Sequence, residues 1–221
     1  MAQVLRATRV WQNDPVNSSK RARYTAGKIG RRTFIDYAKE PGVDPKLQTE
    51  TLAEVVFGID NWRWSGVPFV LRSGKALGNA TKGITITFKD VPHLPIGLTG
   101  LQRPAALRIG LNPESLELDL NINGAGSPFE LDCIVLEAEF AEGDLDAYGE
   151  VLDGILERDP SLSVRGDVAE ECWRIIEPVL AAWRRGDVRL DTYPAGGDVP
   201  KSWRTAGRSH GEAARPTSVR R

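Results

Sequence analysis

The sequence predicts an α+β protein with a large, mostly antiparallel sheet and helices packed on one of its faces. From residue 51 to residue 140, apolar residues alternate with polar ones, and no helical pattern separates the alternating segments. This favours antiparallel pairing, because a parallel crossover needs about a dozen residues or more. From about residue 144, the apolar residues recur at spacings of three and four, as in a helix. Strands in one block and helices in another are typical of α+β domains.

The predicted strands are marked by apolar residues at every second position. They are Val55, Phe57 and Ile59; Val67 to Leu71; Ile84, Ile86 and Phe88; Leu107, Ile109 and Leu111; Leu116, Leu118, Leu120 and Ile122; and Leu136, Ala138 and Phe140. The turn sequence Asn112-Pro113-Glu114-Ser115 predicts a hairpin between the fourth and fifth of them, with one face of the sheet in water. Gly124-Ala125-Gly126 is interpreted as a second hairpin loop.

Two helices are predicted after the strands. The first contains the stripe Leu145, Tyr148, Val151, Leu152, Ile155 and Leu156. The second is expected to begin at Asp167, with Glu170 completing a capping box and Pro178 kinking or shortening the helix. Its expected buried stripe is Val168, Cys172, Ile175, Ile176, Val179 and Leu180.

Composition narrows the class of protein. The 221 residues carry a net charge of -1, which gives no electrostatic reason to expect a nucleic acid or a membrane surface as partner. No run of about 18 apolar residues and no secretory signal is found. Cys133 and Cys172 are expected to be buried thiols in a reduced compartment, so a cytoplasmic location is predicted. No histidine pair and no CxxC is present, and no metal site is expected.

The run of residues 60–75, DNWRWSGVPFVLRSGK, holds the best candidate for a binding residue. Lys75 follows an apolar strand and Gly74, so its ammonium can meet an anion, although a solvated lysine is the commoner case. Trp62 and Trp64 would share a face if the segment were extended, and Asp60 with Arg63 suggests a structural ion pair. His93, in a loop framed by prolines, has no neighbour that marks it as functional, and His210 lies near the C-terminus.

The same run resembles the DNWRWxGVPFxLRxGK signature of the C-terminal domain of glucose-6-phosphate dehydrogenase. Further matches follow in order: Tyr24-Thr25-Ala26-Gly27 resembles QYxxG, Glu40 to Val43 resembles EPGV, Thr49 to Thr51 resembles TET, Asp146 to Tyr148 resembles DAYE, Val164 to Ile175 resembles FVRxDE…AWRI, and Tyr193 to Gly196 resembles YPAGS. They cover residues 3–203. The expected domain is therefore 1–203, followed by a disordered basic tail over 204–221.

The resemblance implies a sheet that also forms the subunit interface of a homo-oligomer. It implies oxidation of glucose 6-phosphate with NADP, and Lys75 matches the lysine that contacts the sugar phosphate. The second basic contact would fall on Ala80, and Lys82 is the nearest cation. Arg72 matches an arginine that binds a structural NADP in some members, whereas a further arginine of that site is replaced by Gly110.

No catalytic residue is assigned within this sequence. The GxxGDL-type start of the dinucleotide-binding domain and the RIDHYLGKE motif with the catalytic histidine have no counterpart here. Two hypotheses follow. The chain is the substrate-side and oligomerisation half of the enzyme, inactive without a complementary N-terminal half. Alternatively, it is a non-enzymatic module for self-association or regulation.

Overall fold

The structure, a computed structural model, describes residues 2–79, 81–91, 93, 96–100, 103–124, 126–127, 129–140 and 147–203. The chain is divided into two compact units. The first contains the described residues before Thr81 and after Leu152, and the second contains those from Thr81 to Leu152.

The strands account for most of the regular structure. They are β1 (Thr8–Val10), β2 (Ser19–Thr25), β3 (Gly27–Ile29), β4 (Arg32–Phe34), β5 (Leu52–Ile59), β6 (Phe69–Gly74), β7 (Lys82–Thr87), β8 (Thr99–Gly100), β9 (Ala106–Asn112), β10 (Glu114–Asn123), β11 (Glu130–Glu139) and β12 (Leu190–Pro194). The α-helices are α1 (Ala2–Arg6), α2 (Ala147–Leu156) and α3 (Gly166–Arg185). Short 3-10 helices lie at Trp11–Asn13, Tyr37–Lys39, Pro45–Leu47, Pro160–Leu162 and Lys201–Trp203.

The first unit is built on a five-stranded sheet with β5 at its centre. β1, β2 and β6 pair with β5 in antiparallel fashion, and β12 pairs with β2 in parallel. β3 and β4 form a separate antiparallel hairpin. The central position of β5 follows from its composition, because most of its residues are apolar and both of its faces are covered.

Each face of this sheet has its own core. Helix α3 packs Ile175, Val179 and Trp183 against Val55 and Phe57. The indole Nε1 of Trp183 donates to the buried Ser19 hydroxyl at 2.9 Å, which satisfies its only polar group. The opposite face buries a second cluster, made of Ala22, Tyr24, Leu52, Tyr193, Ala195 and Trp203.

Helix α3 corrects two expectations. It begins at Gly166 with Arg165 as its N-cap, and no side chain caps it, because the Asp167 carboxylate pairs with the Arg165 guanidinium instead. Pro178 does not shorten the helix, which continues to Arg185 and ends at Gly186 with a φ of 80°. Glycine suits that left-handed position because it has no Cβ.

The predicted buried thiols are also corrected. Cys172 is exposed and Cys133 is partly buried, and both are free. The buried residues of α3 are Val168, Ile175, Val179, Ala182 and Trp183, a stripe that leaves position 172 facing solvent.

The second unit contains a five-stranded sheet in the order β7-β9-β10-β11-β8. All of its pairs are antiparallel except β11 with β8. The antiparallel pairing of β9 with β10 confirms the predicted hairpin between residues 107 and 122. Aliphatic side chains share one face: Ile86, Leu107, Leu118 and Leu136 lie in one row across four strands. On the other face, Arg108 forms an ion pair with Asp119.

The α+β class and the mostly antiparallel pairing are confirmed. The division of the strands between two five-stranded sheets was not predicted. Of the expected first-helix stripe, Leu145 lies outside the described residues, and α2 begins at Ala147. The expected boundary at residue 203 stays a prediction, because residues 204–221 also lie outside the described part.

Candidate functional site

Lys75 lies directly after β6, at the end of the sheet of the first unit. Gly74 is paired with Leu52 at the last position of the β5–β6 ladder. The Lys75 N–H then donates to the Thr51 carbonyl at 2.8 Å, and the Lys75 carbonyl accepts from the Tyr193 hydroxyl at 2.6 Å. The backbone of Lys75 is thus held on both sides, while its side chain is exposed.

Tyr193 anchors this end of the sheet from the buried side. It is 2% exposed, and its hydroxyl lies 2.9 Å from the Thr51 hydroxyl. The Thr51 Oγ1 also accepts the Tyr24 N–H at 3.0 Å, so three segments meet at one threonine. Burial raises the pKa of Tyr193, which keeps its phenol protonated as a donor to Lys75.

The loop after Lys75 is fixed by glycines. Gly196 donates to the Ala76 carbonyl at 2.8 Å, and Gly78 donates to the Gly197 carbonyl at 2.9 Å. Gly196 has a φ of 80°, and a Cβ there would lie 1.8 Å from the Lys28 carbonyl oxygen. A Cβ at Gly74 would lie 2.6 Å from the Leu52 Cδ1. Gly196 therefore allows its loop to approach the backbone of Lys28 closely, and Gly74 leaves room for the Leu52 side chain.

Arg23 is a cation near this site that sequence analysis missed. The Thr51 N–H donates to the Ala22 carbonyl, and the Thr51 Oγ1 accepts from the Tyr24 N–H. Arg23 lies between Ala22 and Tyr24, in the segment of β2 that faces Thr51. Since Lys75 bonds to Thr51 from the other side, the two residues are separated by two strand spacings of about 4.8 Å. The Arg23 Nη1 is buried without a hydrogen-bond partner among the described residues. A signal was available, because Arg23 stands where the QYxxG motif has glutamine.

Arg72 is engaged within the protein. Its Nε donates to Glu54 Oε2 at 2.8 Å, and Lys20 Nζ lies 2.8 Å from Glu54 Oε1. Burial alone would raise the pKa of Glu54, but hydrogen bonds from Lys20 and Arg72 outweigh it and hold the pKa below its usual value. The carboxylate is therefore ionised and its two oxygens are shared between two cations.

Lys82 is the first residue of β7 and is exposed, at an irregularity in the pairing with β9. It belongs to the second unit, whereas Lys75, Arg72 and Arg23 belong to the first. Ala80, the position expected for the second basic contact, lies outside the described residues.

The tryptophan-rich part of the signature is a turn instead of an extended segment. Trp62 is 88% exposed and carries the Arg63 guanidinium over its ring at 5.5 Å. The expected Asp60–Arg63 ion pair is wrong: Asp60 pairs with Arg9 at 2.5 Å. Pairing of β1 with β5 brings Arg9 beside Gly58 and so close to Asp60. Trp64 packs edge-on against Phe69, which favours a structural role.

Other features do not add a site. His93 is exposed, and His210 lies outside the described residues. A cavity of about 400 Å³ is lined in part by Arg6, Arg9 and Arg174. Arg6 and Arg174 pair with the Glu171 carboxylate, and Arg9 pairs with that of Asp60. Within the described residues, no group of three or more histidine, cysteine, aspartate or glutamate side chains could hold a metal ion. The helices described are also too short or too polar to cross a membrane.

Comparison with known families gives a match over nearly the whole chain. The family model described as "Glucose-6-phosphate dehydrogenase, C-terminal domain" matches residues 1–214. A glucose-6-phosphate 1-dehydrogenase of Treponema pallidum is 36% identical over 204 residues, covering 86% of this chain and 39% of that protein. The Mycolicibacterium smegmatis enzyme of the same name is 38% identical over 185 residues, covering 80% and 37%. The chain thus spans about two fifths of the length of these relatives.

Solved structures show the same relationship. A glucose-6-phosphate dehydrogenase in complex with glucose 6-phosphate superposes with a TM-score of 0.78 at 25% identity, over 90% of this chain and 41% of that one. A glucose-6-phosphate 1-dehydrogenase from Mycobacterium avium gives a TM-score of 0.69 at 30% identity, over 89% and 39%.

Proposed function

The chain belongs to the glucose-6-phosphate dehydrogenase family as its C-terminal domain, and from this premise we propose that it is the substrate-side half of an NADP-dependent glucose-6-phosphate dehydrogenase. The observation that carries the proposal is the position of Lys75. Its backbone is bonded to Thr51 and Tyr193, and its side chain is exposed at the end of a rigid sheet. A residue held in this way presents its charge to a ligand at little entropic cost.

The role of Lys75 is to bind and orient the sugar phosphate. Its ammonium is a compact charge with three donors, suited to a phosphate oxygen. Holding the phosphate fixes the distance of the sugar carbon to be oxidised from groups on the complementary half. When bound by that half, NADP would supply the hydride acceptor for the oxidation to 6-phosphogluconolactone. The base that takes the hydroxyl proton also belongs to the complementary half, so this chain is expected to be inactive alone.

Arg23 is the better candidate for a second phosphate contact. Its buried Nη1 has no hydrogen-bond acceptor among the described residues, and a bound phosphate oxygen would provide one. Thr51 is hydrogen-bonded both to the strand segment that contains Arg23 and to Lys75. Lys82 is kept as the alternative, because it stands closest in sequence to the position where the family has its second basic residue. An Arg23→Gln variant, which restores the residue of the QYxxG motif, tests whether Arg23 or Lys82 makes the second phosphate contact.

The sheet of the second unit is proposed as the surface through which the chain forms a homo-oligomer. Ala106 is the only residue classed as buried among the side chains described in this unit. Ile84, Ile86 and Leu136, all on the aliphatic face, are between 42% and 53% exposed. An aliphatic face of this extent is the kind of surface that a second copy covers. The same observation supports the alternative function, a non-enzymatic module for self-association.

Co-expression with an N-terminal half that contains a dinucleotide-binding domain and the HYLGKE motif tests the proposed function. NADP reduction with glucose 6-phosphate should require both halves. Lys75→Ala should raise the KM for glucose 6-phosphate by about 10- to 100-fold, the loss of one charge-assisted contact. The matched control is Lys46→Ala, at another exposed lysine that precedes the same strand β5.

Turnover by the chain alone would contradict the proposal. An unchanged KM in Lys75→Ala, equal to that of Lys46→Ala, would remove Lys75 from the substrate site. If the two halves together show no activity while the chain still self-associates, the non-enzymatic module becomes the better description.

A further inference from the structure

Three charged side chains form a row across the sheet of the first unit, on strands β2, β5 and β6. The ladders pair Lys20 with Glu54 and Glu54 with Arg72, so all three lie on the same face. Lys20 Nζ lies 2.8 Å from Glu54 Oε1, and Arg72 Nε lies 2.8 Å from Glu54 Oε2. The Arg72 Nη2 also bonds to Oε2. Each carboxylate oxygen therefore has its own cation.

The carboxylate is the buried member of this row. The side chain of Glu54 is 7% exposed, whereas those of Lys20 and Arg72 are 38% and 43% exposed. A buried charge is tolerated only where it is paired, so Lys20 and Arg72 are directed inward to neutralise Glu54. The edge of the Arg72 guanidinium that carries Nε and Nη2 is occupied by this contact.

The surroundings of Lys20 are also fixed by the protein. Its Nζ lies 5.8 Å from the centre of the Trp203 ring. The indole Nε1 of Trp203 donates to the Asp191 carboxylate at 2.8 Å, which places a second acidic group beside the cluster. Because Asp191 is itself paired with Arg189 at 3.2 Å, the carboxylate that an incoming phosphate would meet between Lys20 and Arg72 is Glu54.

We propose that Glu54 is a built-in anion that closes the Arg72 position to a dinucleotide phosphate. The resemblance to members with a structural NADP suggests such a ligand at Arg72, but the side chains found here do not fit it. A phosphate bound bidentately by the Nε edge of Arg72 would have to displace Glu54, leaving a buried carboxylate with half of its partners lost. This inference concerns Arg72 alone and is independent of the role of Lys75.

The test uses the 221-residue chain and the variant Glu54→Gln, which keeps the size of the side chain and removes its charge. Binding of NADP, NAD and inorganic phosphate is measured by calorimetry and by the shift of the unfolding temperature. Glu54→Gln should bind inorganic phosphate and NADP at least about tenfold more tightly than the wild type, the value of one new charge-assisted contact. The double variant Glu54→Gln with Arg72→Gln should lose this gain.

The matched control is Glu171→Gln, which also removes a carboxylate paired with two cations, Arg6 and Arg174, but away from Arg72. It should gain no affinity for NADP. The proposal is overturned if Glu54→Gln binds no better than the wild type. It is equally overturned if the wild-type chain binds NADP in a way that Arg72→Gln abolishes. That second comparison needs only folded wild type and Arg72→Gln, so it decides the matter even if Glu54→Gln fails to fold.

Discussion

The hydroxyl of Tyr193 donates a hydrogen bond to the carbonyl oxygen of Lys75 at 2.6 Å. A buried residue of β12 thereby holds the backbone of an exposed lysine that lies 118 positions earlier in the chain. Tyr193 also touches Thr51, whose carbonyl accepts the Lys75 N–H. The lysine proposed to bind substrate is thus positioned by the core of its unit, which ties substrate affinity to the integrity of that core.

Tyr193→Phe is expected to lower the free energy of unfolding by about 1–3 kcal/mol, because it removes the donor to the Lys75 carbonyl and one of the two partners of the buried Thr51 hydroxyl. Urea unfolding of the chain measures this. Tyr148→Phe is the control, since Tyr148 is 89% exposed, and it should leave the stability unchanged. In the two-half enzyme, Tyr193→Phe should also raise the KM for glucose 6-phosphate. Equal stability of the two variants would contradict the stabilising role of the Tyr193 hydroxyl.

Stability should fall at alkaline pH because of Tyr24. Burial, and then the hydrogen bond to Glu40, raise the pKa of Tyr24 to about 12. In the unfolded chain, the pKa of a tyrosine is about 10. Above that pH the unfolded chain releases a proton that the folded protein retains, so the free energy of unfolding decreases as the pH rises toward 12.

The measurement is the free energy of unfolding in urea at several pH values between about 9 and about 11. Tyr24→Phe should flatten this pH dependence, and the raised pKa values of Tyr193 and Lys39 contribute to the part that remains. Tyr148→Phe should keep the wild-type slope. A slope that is the same in Tyr24→Phe and in the wild type would show that another group is responsible.

The location of Lys75 could be predicted from the sequence because the information is local. The apolar run Val67 to Leu71, Gly74 and Lys75 follow one another closely, and the structure has the predicted strand at Phe69–Gly74, directly before Lys75. The hairpin of β9 and β10 was predictable for the same reason, since the turn and both alternating strands are contiguous.

The contacts of the site could not be predicted because they join distant segments. Arg23 comes near Lys75 only through Thr51, and Glu54 reaches Arg72 only through the register of β5 and β6. The pairing of Asp60 with Arg9 is of the same kind. A strand pattern gives the face of a residue but not its partner on the next strand, so ion pairs across strands remain open until the register is known.

Gly196→Ala should destabilise the first unit by roughly 2–4 kcal/mol, because the residue has a positive φ and its Cβ would overlap the Lys28 carbonyl. Gly154→Ala is the control: a Cβ there would make an ordinary contact of 3.6 Å with the Asp159 carbonyl. In helix α2 that change should be neutral or stabilising by up to about 1 kcal/mol. Urea unfolding compares the two, and similar losses in both would contradict the close approach at Gly196.

Leu136→Lys should weaken self-association if the aliphatic face of the second sheet is the contact surface. Leu136 is 53% exposed and ends the row of Ile86, Leu107 and Leu118, so a lysine there places a charge on the aliphatic face at little cost to folding. Sedimentation over a range of concentrations should show a dissociation constant raised at least about tenfold.

Glu137→Lys is the control for this face, because position 137 is the next residue of β11 and points to the other side of the sheet, opposite Glu117. It changes the charge by more than Leu136→Lys does, yet it should leave association intact. If both variants weaken association equally, the effect comes from net charge and not from the aliphatic face. A wild-type chain that sediments as a monomer at every concentration would rule out the sheet as a surface for self-association in the isolated chain.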